Sequence, residues 1–174
     1  MLLERWGYAG MAVEDVARAA GVTKKTLYHH FGSKNALVIA LIHLRLDEHG
    51  AAVRGILASA PSAREGLEAL TLWFAARPPA HDVLRDTARF LPGEDQVVLN
   101  QAFLRHVIAP LEEALRRGVE EGEFEPHDTT FAAWMLLGML STLPALLVLG
   151  HLPSLPGSLM TLLMRGLEQP KTPP

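Results

Sequence analysis

Cysteine is absent from the 174 residues, which excludes a disulfide framework, a thiolate nucleophile and any Cys-ligated metal, and suits a reducing compartment such as the cytoplasm. Apolar and polar residues nowhere alternate with period two, so no strand is expected and the fold class reads as all-α. Internal repeats and low-complexity runs are missing as well. Met1 to Gly10 offers neither a long apolar core nor a small-residue cleavage site behind it, so no signal peptide is read there. The motifs of common enzyme chemistry are absent: no G-x-S-x-G, no phosphate-cradling G-x-x-x-x-G-K, no G-x-G-x-x-G and no H-E-x-x-H. Neither an enzyme nor a cofactor is expected. The eight histidines are scattered; His43 and Asp47 have i, i+4 spacing that reads as a surface pairing. Adjacent His29 and His30 project about 100° apart on a helix and cannot chelate one ion, so no metal is expected.

Charge is also sparse. The net value is -3 with 49% hydrophobic residues, enough apolar side chain to bury a real core. Its distribution is uneven: residues 1–45 carry six Lys/Arg (Arg5, Arg18, Lys24, Lys25, Lys34, Arg45) against three acids (Glu4, Glu14, Asp15). A basic head on an acidic body fits nucleic-acid binding by the head alone. The one long uncharged run is Thr129 to Gly150, 22 residues, long enough to span a membrane. Ser141, Thr142 and Pro144 interrupt it and no basic cluster flanks it, so it reads as a core helix that also forms a dimer interface.

Against these absences one stretch stands out, Glu14 to Lys34, E-D-V-A-R-A-A-G-V-T-K-K-T-L-Y-H-H-F-G-S-K. Val13, Val16, Ala17 and Ala20 recur at i, i+3, i+4 and i+7, one face of a helix ending where Gly21 can turn left-handed. Val22 fills the angle, and Thr23 caps a second helix running to about Phe31. Leu27 and Phe31 share its inward face, leaving Lys24, Lys25, Tyr28 and His29 outward. Gly32 stops that helix and Ser33 caps the next. Two short helices at an angle are a device for laying the second in a DNA groove. Lys24 and Lys25 stand in its first turn, where side chains reach base edges, and lysine suits guanine O6 and N7.

The pattern V-x-D-V-A-x-x-A-G-V-T-x-x-T-L-Y-H-H-F-x-S-K resembles the DNA-binding half of TetR/AcrR-type transcriptional regulators. The resemblance covers residues 1 to about 47; beyond it, L-x-x-G-V-x-x-G-x-F at Leu115 to Phe124 and the apolar helix after it echo the family loosely. It implies a helix-turn-helix, three-helix DNA-binding head over residues 1–47, and an all-helical effector-binding and dimerisation domain over residues 48–174. The head's first helix is truncated to Met1 to Trp6, and Ala12 replaces the family's usual Thr or Ser cap. The implied DNA-binding set is Thr23, Lys24, Lys25, Thr26, Tyr28, His29, His30 and Lys34. Positions matching Lys24, Lys25 and Tyr28 tend to face bases, and those matching His29, His30 and Lys34 tend to hold phosphates. The implied partners are double-stranded DNA, a second copy of the chain and a small-molecule effector, with no membrane.

Beyond the head, Ser33 to about His49 reads as a longer helix carrying Leu37, Leu41 and Leu44, continuing or breaking near Gly50 and Gly55, and it is the expected lever between effector and DNA. Helices are expected over Glu65–Ala76, Asp82–Phe90, Glu94–Glu121, bent or restarted at Pro110, Thr129–Leu149 and Ser158–Leu167. Glu112, Glu113, Glu120, Glu121 and Glu123 read as a solvated helix face. Trp73, Phe74, Phe90, Phe103, Trp134, Met135 and Met139 are the residues a pocket for a flat, apolar effector could use, and most of them read simply as core. The reading is a homodimeric, ligand-responsive repressor on a palindromic operator. The alternative is a DNA-organising or protein-interaction module with no effector pocket.

Overall fold

The computed structural model describes residues 7–76, 89–148, 161, 165 and 166, and all regular secondary structure among them is helical. After helical residues 7–10 come α1 (Val13–Ala19), α2 (Lys24–Phe31), α3 (Lys34–Ser59) and α4 (Ala63–Ala75). Then follow α5 (Gly93–Phe103), a π-helical turn (Leu104–Ile108), α6 (Ala109–Glu120) and α7 (Thr129–Val148). The expected first helix over Met1 to Trp6, most of the helix expected over Asp82–Phe90, and nearly all of Ser158–Leu167 lie outside the described residues.

Two compact units emerge: Met1–Glu48 with Ala80–Phe103, and His49–Pro79 with Leu104–Pro174. In the first, Val13, Ala17, Leu27 and Leu37 form one core against which Val16, Phe31 and Leu41 pack. The 3.6-residue period assigns these positions inward; Ala20 and Leu44, assigned with them, are exposed. The turn between α1 and α2 depends on Gly21 at φ 68°, a conformation costly for any residue with a Cβ. Val22 does not fill the angle as expected. It closes the turn through its backbone, N–H to Ala17 O at 3.0 Å, and its side chain stays exposed.

Caps place the helices. Thr23 Oγ1 accepts from Thr26 N at 3.1 Å and Ser33 Oγ from Ala36 N at 3.1 Å. Ala12 has no side chain with which to cap α1, whose first turn instead carries Glu14 and Asp15 at the positive end of the helix dipole. Helix α3 does not break at Gly50 or Gly55. A Cβ at Gly50 would come within 2.7 Å of the His106 carbonyl, so that glycine is a point of close approach to the π turn. The helix expected over Glu94–Glu121, bent or restarted at Pro110, is divided by this turn just ahead of the proline. Pro110 cannot donate to His106, four residues back, and its ring crowds that carbonyl; the wider turn relieves both.

The second unit packs α4 on α6 and α7, α6 on α7, and the π turn on both. Leu67, Leu70, Leu111, Leu115, Leu136, Leu140 and Leu143 are almost wholly buried there, each contributing about 1.5–3 kcal/mol relative to exposure. Thr71, also buried, is satisfied within its helix by donating to Leu67 O at 2.9 Å. Glu123 is a correction to the expected solvated run. It lies beyond the end of α6, and its carboxylate accepts from the Ala63 and Arg64 amides at 3.0 and 3.1 Å. With Ser62 Oγ taking Glu65 N, the first three amides of α4 all find side-chain acceptors, and Gly66 N, donating to Ser62 O, begins the helix's own ladder. No helix of the described residues is long and apolar enough to cross a membrane.

Candidate nucleic-acid interface

Helix α2 is eight residues long and buries only Leu27 fully. That single anchor, with Phe31 half-buried beside it, fixes which side faces the core. Thr23, Lys24, Lys25, Thr26, Tyr28, His29 and His30 are consequently all exposed. The expected set is thus displayed on one short helix, and Lys34 follows at the first position of α3, half-buried.

The three lysines differ in how they are held. Lys24 Nζ lies 2.5 Å from Glu14 Oε1 on α1 and 5.7 Å from the Tyr28 ring centroid. The hydrogen bond from Lys24 holds the Glu14 carboxyl below its ordinary range, and the same bond holds the Lys24 ammonium above its own. Both groups are solvated, so the pair adds little to stability; its effect is to fix a position and offset a charge. Lys25 has no carboxylate partner among the described residues. Lys34 Nζ sits 4.6 Å from the centroid of the Tyr8 ring, an attraction that orients the ammonium while leaving its charge whole.

Tyr8 donates to Asn35 Oδ1 at 2.5 Å and stacks on Phe90, centroids 5.0 Å apart and 12° from parallel. His30 meets the edge of Phe31 at 4.8 Å. Glu14 and Tyr8 had no signal as site residues in the sequence. Glu14 counted only as a charge, and its partner is ten residues away across a turn, a separation no helical period marks.

The residues expected to line an effector pocket fall in both compact units. Trp73 and Phe74 pack edge-on together at 5.2 Å, with His49 at 5.1 and 5.5 Å from their rings. Phe90 and Phe103 belong to the first unit, and Phe90 stacks on Tyr8. Met139 is half-buried on α7. Trp134 and Met135 lie on the outer side of that helix, 45% and 50% exposed, beside Phe131 at 63%. Ser141 and Thr142 on the same side donate back to Gly138 O and Met139 O, so they add little polarity to it. Among the described residues no three His, Cys, Asp or Glu side chains could hold a metal ion together.

Comparison with known proteins bears on both units. Residues 1–41 match the family model described as bacterial regulatory proteins, tetR family, and residues 63–145 match the model of the tetracyclin repressor-like C-terminal domain. The HTH-type transcriptional repressor KstR2 of Rhodococcus jostii (strain RHA1) is 32% identical over 126 residues, 68% of this chain and 60% of that protein. The chain therefore spans about three-fifths of the length of this curated relative. The crystal structure of reduced NemR from E. coli covers 98% of this chain and 94% of its own, with a TM-score of 0.81 at 18% identity, a likeness of fold. AibR, crystallised with isovaleryl coenzyme A and operator DNA, is 25% identical, covers 83% of this chain and 80% of its own, and has a TM-score of 0.65.

Proposed function

This chain belongs to the TetR family of bacterial regulatory proteins, and from that premise we propose that it is a transcriptional repressor that binds a palindromic operator as a homodimer and is released by a small-molecule effector. The observation that carries the reading is the exposed side of α2, where one buried leucine leaves two lysines, two threonines, a tyrosine and two histidines in solvent. A helix so anchored can enter a major groove without unpacking its core. The functional boundary is taken at residue 47, with the DNA head before it and the effector and dimerisation part after it. The protein works in the cytoplasm and catalyses no reaction.

One recognition helix covers only a few base pairs, so operator choice needs a second copy, with two-fold related helices about 34 Å apart on successive major-groove faces. The uncharged outer side of α7, with Phe131, Trp134 and Met135, supports that helix as part of the dimer contact. The KstR2 relative is named a repressor and AibR was crystallised with a coenzyme A thioester; short and long acyl thioesters are therefore the first effector class to try. An effector that weakens operator binding about 5- to 150-fold must distinguish the two states by roughly 1–3 kcal/mol. Helix α3, whose residues enter both compact units, is the element through which that difference would act.

Selection of binding sites from random duplexes is the decisive experiment. Wild type should enrich a palindrome whose half-site centres lie about ten base pairs apart. Lys25→Ala should relax a guanine position and cost about 5- to 150-fold on that site. Lys24→Ala should cost less, because Lys24 must leave Glu14 to reach a base. No enrichment by wild type would refute the reading. An unchanged motif after both substitutions would transfer base reading to Thr26 and Tyr28, with His29 and His30 left to the phosphates.

A further inference from the structure

We propose that Phe90 is a positioning residue for DNA binding: stacked on Tyr8, it sets the ring that holds the Lys34 ammonium, and so orients a phosphate contact from a residue remote in sequence. The inference rests on the DNA-binding reading above and adds to it a residue outside the helix-turn-helix. Three contacts converge on Tyr8. Its hydroxyl is fixed by donation to Asn35 Oδ1 at 2.5 Å, its ring lies near-parallel to Phe90 at 5.0 Å, and Lys34 Nζ stands 4.6 Å from the ring centroid. Lys34 and Asn35 open α3, so hydroxyl and ring together tie the first turn of α3 to Tyr8.

Phe90 is 47% exposed, more than a residue kept for core packing alone requires. Stacking on Tyr8 restricts the ring's rotation, and a fixed ring confines a long lysine side chain that would otherwise sample many rotamers. Lys34 has no carboxylate partner among the described residues. It therefore reaches a phosphate with its charge uncompensated, unlike Lys24. The chemistry served is that of a sequence-independent backbone contact.

The test is fluorescence anisotropy of the full chain with a short duplex of arbitrary sequence over a range of salt. Phe90→Ala should weaken binding about two- to five-fold, the size of an ordered cation–π and stacking contact. It should also lower the salt slope towards that of Lys34→Ala, by up to about one unit. Phe90→Tyr should restore both. In a Lys34→Ala background, Phe90→Ala should change nothing further. Phe90→Leu, which keeps bulk without an aromatic face, covers the case in which alanine unfolds the unit, and it too should lower the slope. A wild-type slope in Phe90→Leu would overturn the proposal, as would an equal loss from Phe90→Ala with Lys34 present or absent. Failure of wild type to bind any duplex at low salt would instead strike the DNA-binding reading itself.

Discussion

Gly118→Ala is expected to destabilise the protein although it replaces a glycine inside a helix, where alanine is normally favoured by about 1 kcal/mol. A Cβ at this position would lie 2.2 and 2.3 Å from Cδ2 and Cε2 of Phe124 and 3.0 Å from the Ala63 Cβ. Ordinary carbon contacts are about 3.5–4 Å, so the Phe124 ring would have to retreat by more than about 1 Å. It has nowhere to go: Phe124 is 1% exposed, and its own N–H, like that of Glu123, is tied to Gly118 O, at 3.0 and 2.8 Å. Overpacking of this kind costs about 1–3 kcal/mol, and expelling the ring would cost at least its burial, about 3 kcal/mol. Set against the propensity gain, the net loss is about 2 kcal/mol, or about 4–8 °C in Tm for a chain of this size. Gly55→Ala on α3 is the control: nothing lies within 4 Å of its Cβ, so it should raise stability by up to about 1 kcal/mol. Thermal melts by circular dichroism at one fixed protein concentration measure both. Gly118→Ala as stable as wild type would refute the reasoning, as would a loss that persists undiminished when Phe124→Leu is added to make room.

Glu123 gives a pH signature. Burial pushes its carboxyl up, and the amides of Arg64 and Ala63 with the side chains of Glu121 and Ser62 more than reverse this, so it is held below the ordinary carboxylate range. A carboxylate depressed on folding contributes stability that is complete above its unfolded pKa and is lost as pH falls through the folded value. Glu123→Gln should therefore cost about 1 kcal/mol at neutral pH and flatten the acid limb of stability below about pH 4.5; identical acid limbs by urea titration would remove Glu123 as a cap of α4. On α7, Trp134→Arg should convert a dimer to monomers by light scattering at micromolar concentration and abolish operator binding, with the helical signal retained because the position is exposed. An unchanged dimer mass would exclude this face as the interface.

The first unit was largely legible because its determinants are local. The period of Val13, Val16 and Ala17, the caps Thr23 and Ser33 and the stops Gly21 and Gly32 each act within a turn or two of helix, and the observed α1, α2 and start of α3 follow them. What escaped is tertiary. Glu123 reaches an amide 60 residues away, and nothing in its own neighbourhood distinguishes it from Glu120 or Glu121. The run beginning at Thr129 is apolar on every side, so periodicity could not say which side is covered; the structure buries Ala133, Leu136, Leu140 and Leu143 and leaves Phe131, Trp134 and Met135 outside. The stack of Phe90 on Tyr8 is likewise tertiary, joining residues 82 positions apart in the unit that contains α2.

The Tyr8–Phe90 stack bears on how the proposed DNA face holds its charge. Three lysines of equal formal charge stand in three conditions: Lys24 against a carboxylate, Lys25 with none among the described residues, and Lys34 against an aromatic ring. A phosphate contact gains most from a cation that is held still and left uncompensated, because counterion release scales with the charge it delivers; Lys34 meets both conditions. A base contact made by Lys24 starts from the opposite arrangement. Where Lys24 must give up Glu14 to enter the groove, only an acceptor as good as a guanine edge repays the exchange, and a poor base leaves the ion pair intact. Removing the carboxylate without moving the backbone, as in Glu14→Gln, should accordingly strengthen binding to the selected operator by the whole cost of that exchange and binding to arbitrary duplex by less, widening the ratio between them. The change should vanish in a Lys24→Ala background. An effect of the same size there would mean that Glu14 acts only as a distant negative charge, and the division of labour among the three lysines would fall with it.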